Sequence, residues 1–191
     1  MKDYKKYKWF YTYSGKLVVG GKSAEQNDEL LKTFKKTSKD YYVMHTSHPG
    51  SPFCIIVSEM NKVTRQDIEE SAIFTGCFSR AWKESKKETD IHIFKLNQLS
   101  KEKIMKTGTW HVNGKVEKMN VNLKLALVKQ KDVYRAIPVI NTKKKDILLK
   151  VCPGKIDKEK MADEIMKILR ETKEKKNELL ASLPAGGVRI C

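Results

Sequence analysis

Three groups of residues in this chain are of types that do chemistry. Gly21-Lys22-Ser23 follows a strand-like run and opens a helical one, the setting of a phosphate-cradling loop. The spacing argues against one. That loop needs four residues between its first glycine and the Gly-Lys-Ser. Gly15 leaves five, and Lys16 stands where the glycine should be. Lys16-Leu17-Val18-Val19 is also β-branched and apolar, so its N–H groups are expected in a sheet, not turned around a phosphate. His45, His48 and Cys54 are spaced H-x2-H-x5-C, which suits metal ligation. A structural zinc takes four ligands, usually in tight pairs, and the fourth would have to be His92, His111 or a distant cysteine. Ser51 near His48 invites a nucleophile–base pair, yet the chain has no G-x-S-x-G turn. The expectation is no catalytic residue, no metal and no cofactor.

The elements that must position these residues follow from periodicity and turn chemistry. Trp9–Ser14 and Lys16–Gly20 read as a hairpin turning at Ser14-Gly15. Gly20-Gly21 breaks the strand, and Ser23 caps a helix with Gln26 at the capping-box position. Tyr41–Met44 and Phe53–Val57 are β-rich, joined by the rigid turn His48-Pro49-Gly50-Ser51-Pro52. Thr64 to Lys86 reads as one long helix, capped by Thr64 with Asp67 in its first turn. Its middle, residues 71–78, is apolar almost all round, which marks a helix buried on more than one side. Gly76 there suggests close packing on a sheet. Asp90–Leu96 alternates, and Thr107–Asn122 predicts a hairpin with a type I′ turn at Asn113-Gly114. Leu123–Val128, Val133–Ile140 and Ile147–Val151 continue the β pattern, the last stopped by Pro153-Gly154. Asp157 opens an amphipathic helix with Met161, Ile165, Ile168, Leu169 and Thr172 on one stripe.

The expected class is α+β: a mostly antiparallel sheet packed on a long buried helix, with an additional C-terminal helix. Residues 1–140 would be the binding domain, and residues 141–191 a C-terminal extension docked on it. No apolar run is long enough to span a membrane. The basic N-terminus has no apolar stretch behind it, so it does not read as a secretory signal, and a cytoplasmic location is expected. Cys54, Cys77, Cys152 and Cys191 show no C-x-x-C pairing and are expected to be reduced and mostly buried.

Charge is the strongest compositional signal. Thirty-nine basic and 23 acidic residues give +16. Residues 157–180 hold seven of each sign, and residues 181–191 add only Arg189, which leaves +15 on residues 1–156. Such an excess on a folded body, not a tail, points to nucleic acid, or less often to an anionic membrane; the bland alternative is lysine that simply solvates the surface. Lys16, Lys22, Arg80, Lys83, Lys101, Lys103, Lys106, Lys115 and Lys118 sit at turns and strand ends, where they can neutralise phosphates. Tyrosine, tryptophan and histidine nearby can stack on unpaired bases.

The order of motifs carries a resemblance. Trp9-Phe10 leads into Ser14–Lys22, followed by Gln26–Leu31, Tyr42–His45, His48–Ser51, Ala72–Trp82 ending in Ser-Arg-Ala-Trp, and Thr107–Lys115, TGTWHVNGK. This string, over about residues 7–130, resembles the NFACT-R domain, the RNA-binding module of RqcH/NEMF-type ribosome quality-control proteins. The resemblance implies that the Gly-Gly-Lys element is a hairpin leading into the first helix. It also implies RNA-binding positions at His45, His48, Gly50 and Ser51, beside Lys16, Lys22, Arg80, Lys83, Lys106, Lys115 and Lys118. The family loop usually reads like His-Ala-Asp-x-His-Gly-Ala; here Ser47 replaces the acid and Pro49 is extra. The large family proteins carry further domains that 191 residues cannot hold, so an accessory RNA binder or a module working with a separate partner is expected. The expected partner is tRNA or ribosomal RNA, with no membrane. The family's fusions suggest a subunit of a tRNA-modification system as the alternative. A protein-interaction adaptor using the C-terminal helix is the third reading.

Overall fold

Trp9 and Phe10 are neighbours in sequence but are buried in two different cores. That alternation, the two-residue period of a strand, builds the first half of the fold. In the computed structural model, which describes residues 1–191, β1 (Lys8–Tyr11) and β2 (Leu17–Gly20) form an antiparallel hairpin with Trp9 opposite Val19. Gly15 supplies the turn at φ +83°. Five further strands follow: β3 (Tyr42–Thr46), β4 (Cys54–Ile56), β5 (Glu88–Lys95), and the short pair β6 (Leu99–Ser100) and β7 (His111–Val112). With β8 (Glu117–Asn122), a six-stranded antiparallel sheet runs in the order β1-β2-β4-β3-β5-β8.

Helices cover both faces of this sheet. Helix α1 (Ala24–Lys35) packs Leu30, Leu31 and Phe34 with Trp9, Val19, Val43, Ile55 and Phe94. On the opposite face, α2 (Arg65–Cys77) brings Ile68, Ala72 and Phe74 against Phe10, Val18, Met44, Ile56 and Ile91. Gly76 is where α2 meets the sheet: a β-carbon there would lie 3.0 Å from side-chain atoms of Thr89 and Val121. The start of α2 is held by a capping box between Thr64 and Asp67. Asp67 also accepts hydroxyl hydrogen bonds from Thr12 and Ser14 at 2.6 Å, tying the first hairpin to the helix.

A second sheet closes the far side of α2. Strands β9 (Leu125–Gln130), β10 (Val133–Pro138), β11 (Leu149–Ile156) and β12 (Val188–Ile190) pair antiparallel in the order β10-β9-β11-β12. This sheet takes strands from both sides of residue 140. The four-residue turn α3 (Arg80–Lys83) follows α2; α4 (Lys158–Leu169) and α5 (Lys176–Ser182) join the same core through Met161, Ile165 and Leu179. Two contacts tie the C-terminal segment to α3. Trp82 Nε1 donates to the Gly187 carbonyl at 3.0 Å, and a β-carbon on Gly186 would lie 2.9 Å from Lys83 Cα. No helix is long and apolar enough to cross a membrane.

The α+β class and the antiparallel sheets are as expected, but five local expectations need correction. The helix expected over 64–86 ends at Cys77. There Ser79 Oγ donates to the Gly76 carbonyl and accepts the Ala81 N–H, stopping one helix and starting α3. The hairpin expected over 107–122 does not form: β7 pairs with β6 and β8 with β5. Gln98 overrides the Asn-Gly signal by donating through Nε2 to the carbonyls of Asn113 and Lys115, both at 2.8 Å. The turn with two consecutive positive φ angles is Lys131-Asp132 instead, between β9 and β10. Strand β11 runs through Pro153-Gly154; β9 pairs only as far as Val151, so the proline nitrogen loses no ladder bond to that neighbour. The buried stripe of α4 is Met161, Ala162, Ile165 and Met166, with Ile168 58% exposed. Finally, Cys152 and Cys191 form a disulfide, whereas all four cysteines were expected to be reduced. The β11–β12 pairing brings their Cα atoms to 6.1 Å, within bridging range. Cys54 and Cys77 are free and buried.

Candidate functional site

The strand–Gly-Gly–helix element exists because the backbone must pass very close to its neighbours. A β-carbon on Gly20 would lie 2.7 Å from Cys54 Sγ, and one on Gly21 would sit 2.2 Å from Asn27 Oδ1. Asn27 Oδ1 accepts the Phe53 N–H at 3.1 Å, so the glycines let α1 be pinned to the start of β4. Ser23 caps α1 by accepting the Gln26 N–H, and Gln26 Oε1 accepts the Lys22 N–H. The N–H groups of Val18 and Val19 lie between β1 and β4, inside the sheet. This is not a phosphate loop.

The N-terminus of α1 opens onto a cleft of about 620 Å³. Its walls come from Gly21–Ala24, from the loop 45–53 between β3 and β4, from Phe78–Arg80 and Lys83 at the break between α2 and α3, from His92 and Phe94 on β5, and from Thr107–Trp110. Lys8, Lys22, Arg80 and Lys83 put four basic side chains on it, His45, His48 and His92 add three imidazoles, and no aspartate or glutamate lines it. The helix N-terminus adds unpaired N–H groups and a partial positive charge.

Each wall is braced. In the 45–53 loop, Ser51 Oγ accepts the Thr46 N–H at 3.0 Å, and Thr46 Oγ1 donates to the His48 carbonyl at 2.6 Å. Ser51 is thus a loop staple, and the His48 Nδ1 is partnered by Ser47 Oγ at 3.0 Å. Arg80 donates its backbone N–H to the Gly50 carbonyl at 2.7 Å, joining this loop to the end of the helix. The 106–110 loop is anchored by Asp28, whose Oδ1 accepts from Trp110 Nε1 at 2.8 Å, Gly108 N at 3.0 Å and Lys101 Nζ at 3.0 Å. Burial alone would push the Asp28 carboxyl upward. The hydrogen bonds from Lys101, Trp110 and Gly108 outweigh it and hold the group below its usual range.

Two imidazoles face each other across β3 and β5, His45 opposite His92. His45 packs on the Phe53 ring at 4.4 Å, and its Nδ1 contacts the Thr46 carbonyl at 2.7 Å. A carbonyl only accepts, so Nδ1 carries the proton and Nε2 is the free acceptor. Burial depresses both imidazoles; His92 is lowered further by the charge of Lys118. Lys8, at the start of β1, has its ammonium 4.6 Å from the centre of the Phe78 ring. Burial and then the charges of Lys158, Lys22 and Lys83 bring its pKa down to about 8.

Of the eleven residues singled out from sequence, seven line this cleft: Lys22, His45, His48, Gly50, Ser51, Arg80 and Lys83. Lys118 sits beside it, opposite His92 on β8, and Lys106 immediately precedes the lining residue Thr107. Lys115 lies outside, in the segment that Gln98 holds. Lys16 is at the other end of β2 from Gly21, roughly 15 Å away at about 3.3 Å per residue. Sequence reasoning missed Lys8, Asn27, His92 and Trp110 as parts of one wall. The metal triad does not assemble: Cys54 is fully buried, its thiol pushed up to about 12 by burial, and no three His, Cys, Asp or Glu side chains are grouped to hold a metal ion. A cleft that is cationic, free of carboxylates and lined by flat rings is suited to holding a polyanion.

Comparison with known proteins agrees with this chemistry. The sequence model of the NFACT protein RNA binding domain matches residues 6–114. The archaeal Rqc2 homolog aRqcH of Methanocaldococcus jannaschii is 32% identical over 99% of this chain and 29% of its own length. Ribosome quality control complex subunit NEMF of mouse and of human is 28% identical over 41% of this chain and 7% of its own length. The chain therefore spans less than a third of the curated relatives it matches. The C-terminal part of the fibronectin/fibrinogen-binding protein from Streptococcus suis has a similar fold, with a TM-score of 0.53 and 20% identity over 60% of this chain and 44% of that one.

Proposed function

The chain belongs to the family of NFACT RNA-binding domains, and from that premise we propose that it binds tRNA or ribosomal RNA through the cleft between α1, the 45–53 loop and α3, in ribosome quality control or translation. The observation that carries this reading is the lining itself. Four lysine or arginine side chains and three histidines meet in one cleft without a single carboxylate. In a chain with 23 acidic residues, their exclusion from this surface marks a site for phosphates. The role is one of binding, not bond-making: the groups present attract, orient and stack. The reading implies a cytoplasmic place of action.

Crosslinking in cells followed by sequencing of the bound RNA identifies the partner. In vitro, log affinity for tRNA should fall linearly with log salt, by about 0.7 for each phosphate neutralised on a single strand. Arg80→Glu, at an exposed position, should weaken binding while leaving the unfolding temperature unchanged. Salt-independent affinity, or unaltered binding by this variant, would remove the cleft from the site.

A further inference from the structure

Lys8 opens β1 on the strand face that sends Phe10 toward α2. Gly20 stands opposite it on β2 and offers no side chain to pair with. Lys8 is half-buried, with its ammonium 4.6 Å from the centre of the Phe78 ring. Its Nζ lines the cleft without a hydrogen bond or an ion pair to any protein group, yet it is not sealed from solvent. A ring face returns part of the hydration an ammonium loses on burial, not all of it. Charged groups reach Lys8 from several elements. Lys158 at the start of α4 acts most strongly, then Lys22 before α1 and Lys83 on α3, while the Cys54 thiol on β4 acts in the opposite sense. Asp157 and Glu159 flank Lys158 and offset it in part. Lys5 and, from β10, Arg135 border a small cavity beside Lys8, and Glu178 of α5 offsets Arg135. Burial and then the neighbouring amines bring the Lys8 pKa down to about 8.

We propose that Lys8 grips an RNA phosphate where β1 meets the cleft, and that this phosphate, not a group of the protein, is its counter-charge. Such a contact rests on the RNA reading above and deepens it by naming the ligand atom, a phosphate oxygen. Lys8, Lys22 and Lys83 line one cleft that no carboxylate enters. A phosphate brought among them relieves their mutual repulsion and accepts the hydrogen bond that the protein leaves Lys8 without. It also favours the charged amine, so binding raises a pKa that the free protein holds down, and RNA draws a proton onto Lys8. The sign follows: affinity is highest below the free value of about 8 and is lost as the pH rises above it. A lysine that served only to cover Phe78 with its stem would take up no proton when RNA binds.

Calorimetric titration of the full chain with tRNA at pH 8, in two buffers of different ionisation enthalpy, counts the protons taken up. About half a proton per RNA is expected, since an amine with a pKa of about 8 is half-charged there. At fixed salt, affinity should fall as the pH rises from 7.5 to 9.5, by about tenfold for each unit by which binding raises the pKa. Lys8→Arg, charged throughout this range, should bind RNA without that uptake and with a flatter pH profile. Lys8→Met, which keeps an apolar stem over Phe78, should bind several-fold more weakly. The unaltered protein decides the matter even if the variants fail to fold: tRNA should shield Lys8 from reductive methylation, read by peptide mapping. RNA bound with no proton uptake, or with Lys8 methylated as fast as in the free protein, would overturn the Lys8 contact and leave the RNA reading standing. No RNA affinity at low salt would overturn both.

Discussion

Arg80 is seated on Gly50. Its backbone N–H donates to the Gly50 carbonyl at 2.7 Å, and a β-carbon on Gly50 would come within 3.1 Å of Arg80 Cβ and 3.2 Å of Nε. Gly50 also has φ +110°, which L side chains rarely adopt. Gly50→Ala should therefore act twice: a loss of about 1–2 kcal/mol of stability from the backbone, and weaker RNA binding from the displaced guanidinium. Chemical denaturation and a tRNA binding assay measure the two separately. Normal affinity in the variant would show that the seat does not matter to the ligand.

Gly21-Lys22-Ser23 should bind no nucleoside triphosphate, because the strand before it is paired on both sides. Calorimetry with ATP or GTP and magnesium should register no binding. Ser23→Ala should cost about 1 kcal/mol, the value of a helix cap. Micromolar nucleotide binding that disappears in Lys22→Ala would reverse this reading.

RNA affinity should rise as the pH falls from 7 to 5.5. His45 and His92 have depressed pKa values, so both are neutral at pH 7 and gain charge only as the pH drops through those lowered values. Phosphate favours the charged form, so binding and protonation support each other. An increase of about tenfold corresponds to one unit of combined pKa rise on binding. Replacing both residues with glutamine should remove most of it. A flat profile for the natural protein would place these rings outside the contact.

Glu70 makes stability depend on pH in the direction opposite to an ordinary carboxylate. It is 3% exposed on α2 and accepts from Tyr13 N at 3.0 Å and Asn141 Nδ2 at 3.3 Å. Burial raises its pKa to about 7. The folded chain thus keeps a proton that the unfolded chain releases near 4.5, so stability is lost as the pH rises from 4.5 through 7. Glu70→Gln should gain on the natural protein by about 2 kcal/mol between pH 5 and pH 8. Urea denaturation at the two pH values shows whether the gap widens.

What could be read from sequence was what local rules decide. The Gly15 hairpin, the Ser23 cap, the Thr64 cap with Asp67 in the first turn and the tight fit at Gly76 each follow from one residue type in one conformation. Where distant side chains intervene, the local signal loses. Gln98 claims the carbonyls on both sides of Gly114, and Ser79 ends a helix that apolar periodicity would have continued. The site shows the same division. Lys22, His48 and Arg80 stand out at turns, whereas Lys8 and Trp110 reach the cleft only through sheet order and the Asp28 anchor. Local spacing said nothing of Cys152 meeting Cys191, which depends on β12 returning beside β11.

The bond from Trp82 to the Gly187 carbonyl gives the site a timetable. α3 carries Arg80 and Lys83 into the cleft, and its underside is fastened by residues more than a hundred positions later in the chain. A growing chain is made from its N-terminus, so the first sheet and both its helices can assemble while the residues that lock α3 are still unmade. Until residue 187 is made, α3 has its Arg80–Gly50 bond and its Ser79 hydroxyl contacts but lacks the Trp82 bond beneath it. Closing so long a loop is also entropically slow, so recovery of RNA binding after dilution from denaturant should lag behind recovery of helix.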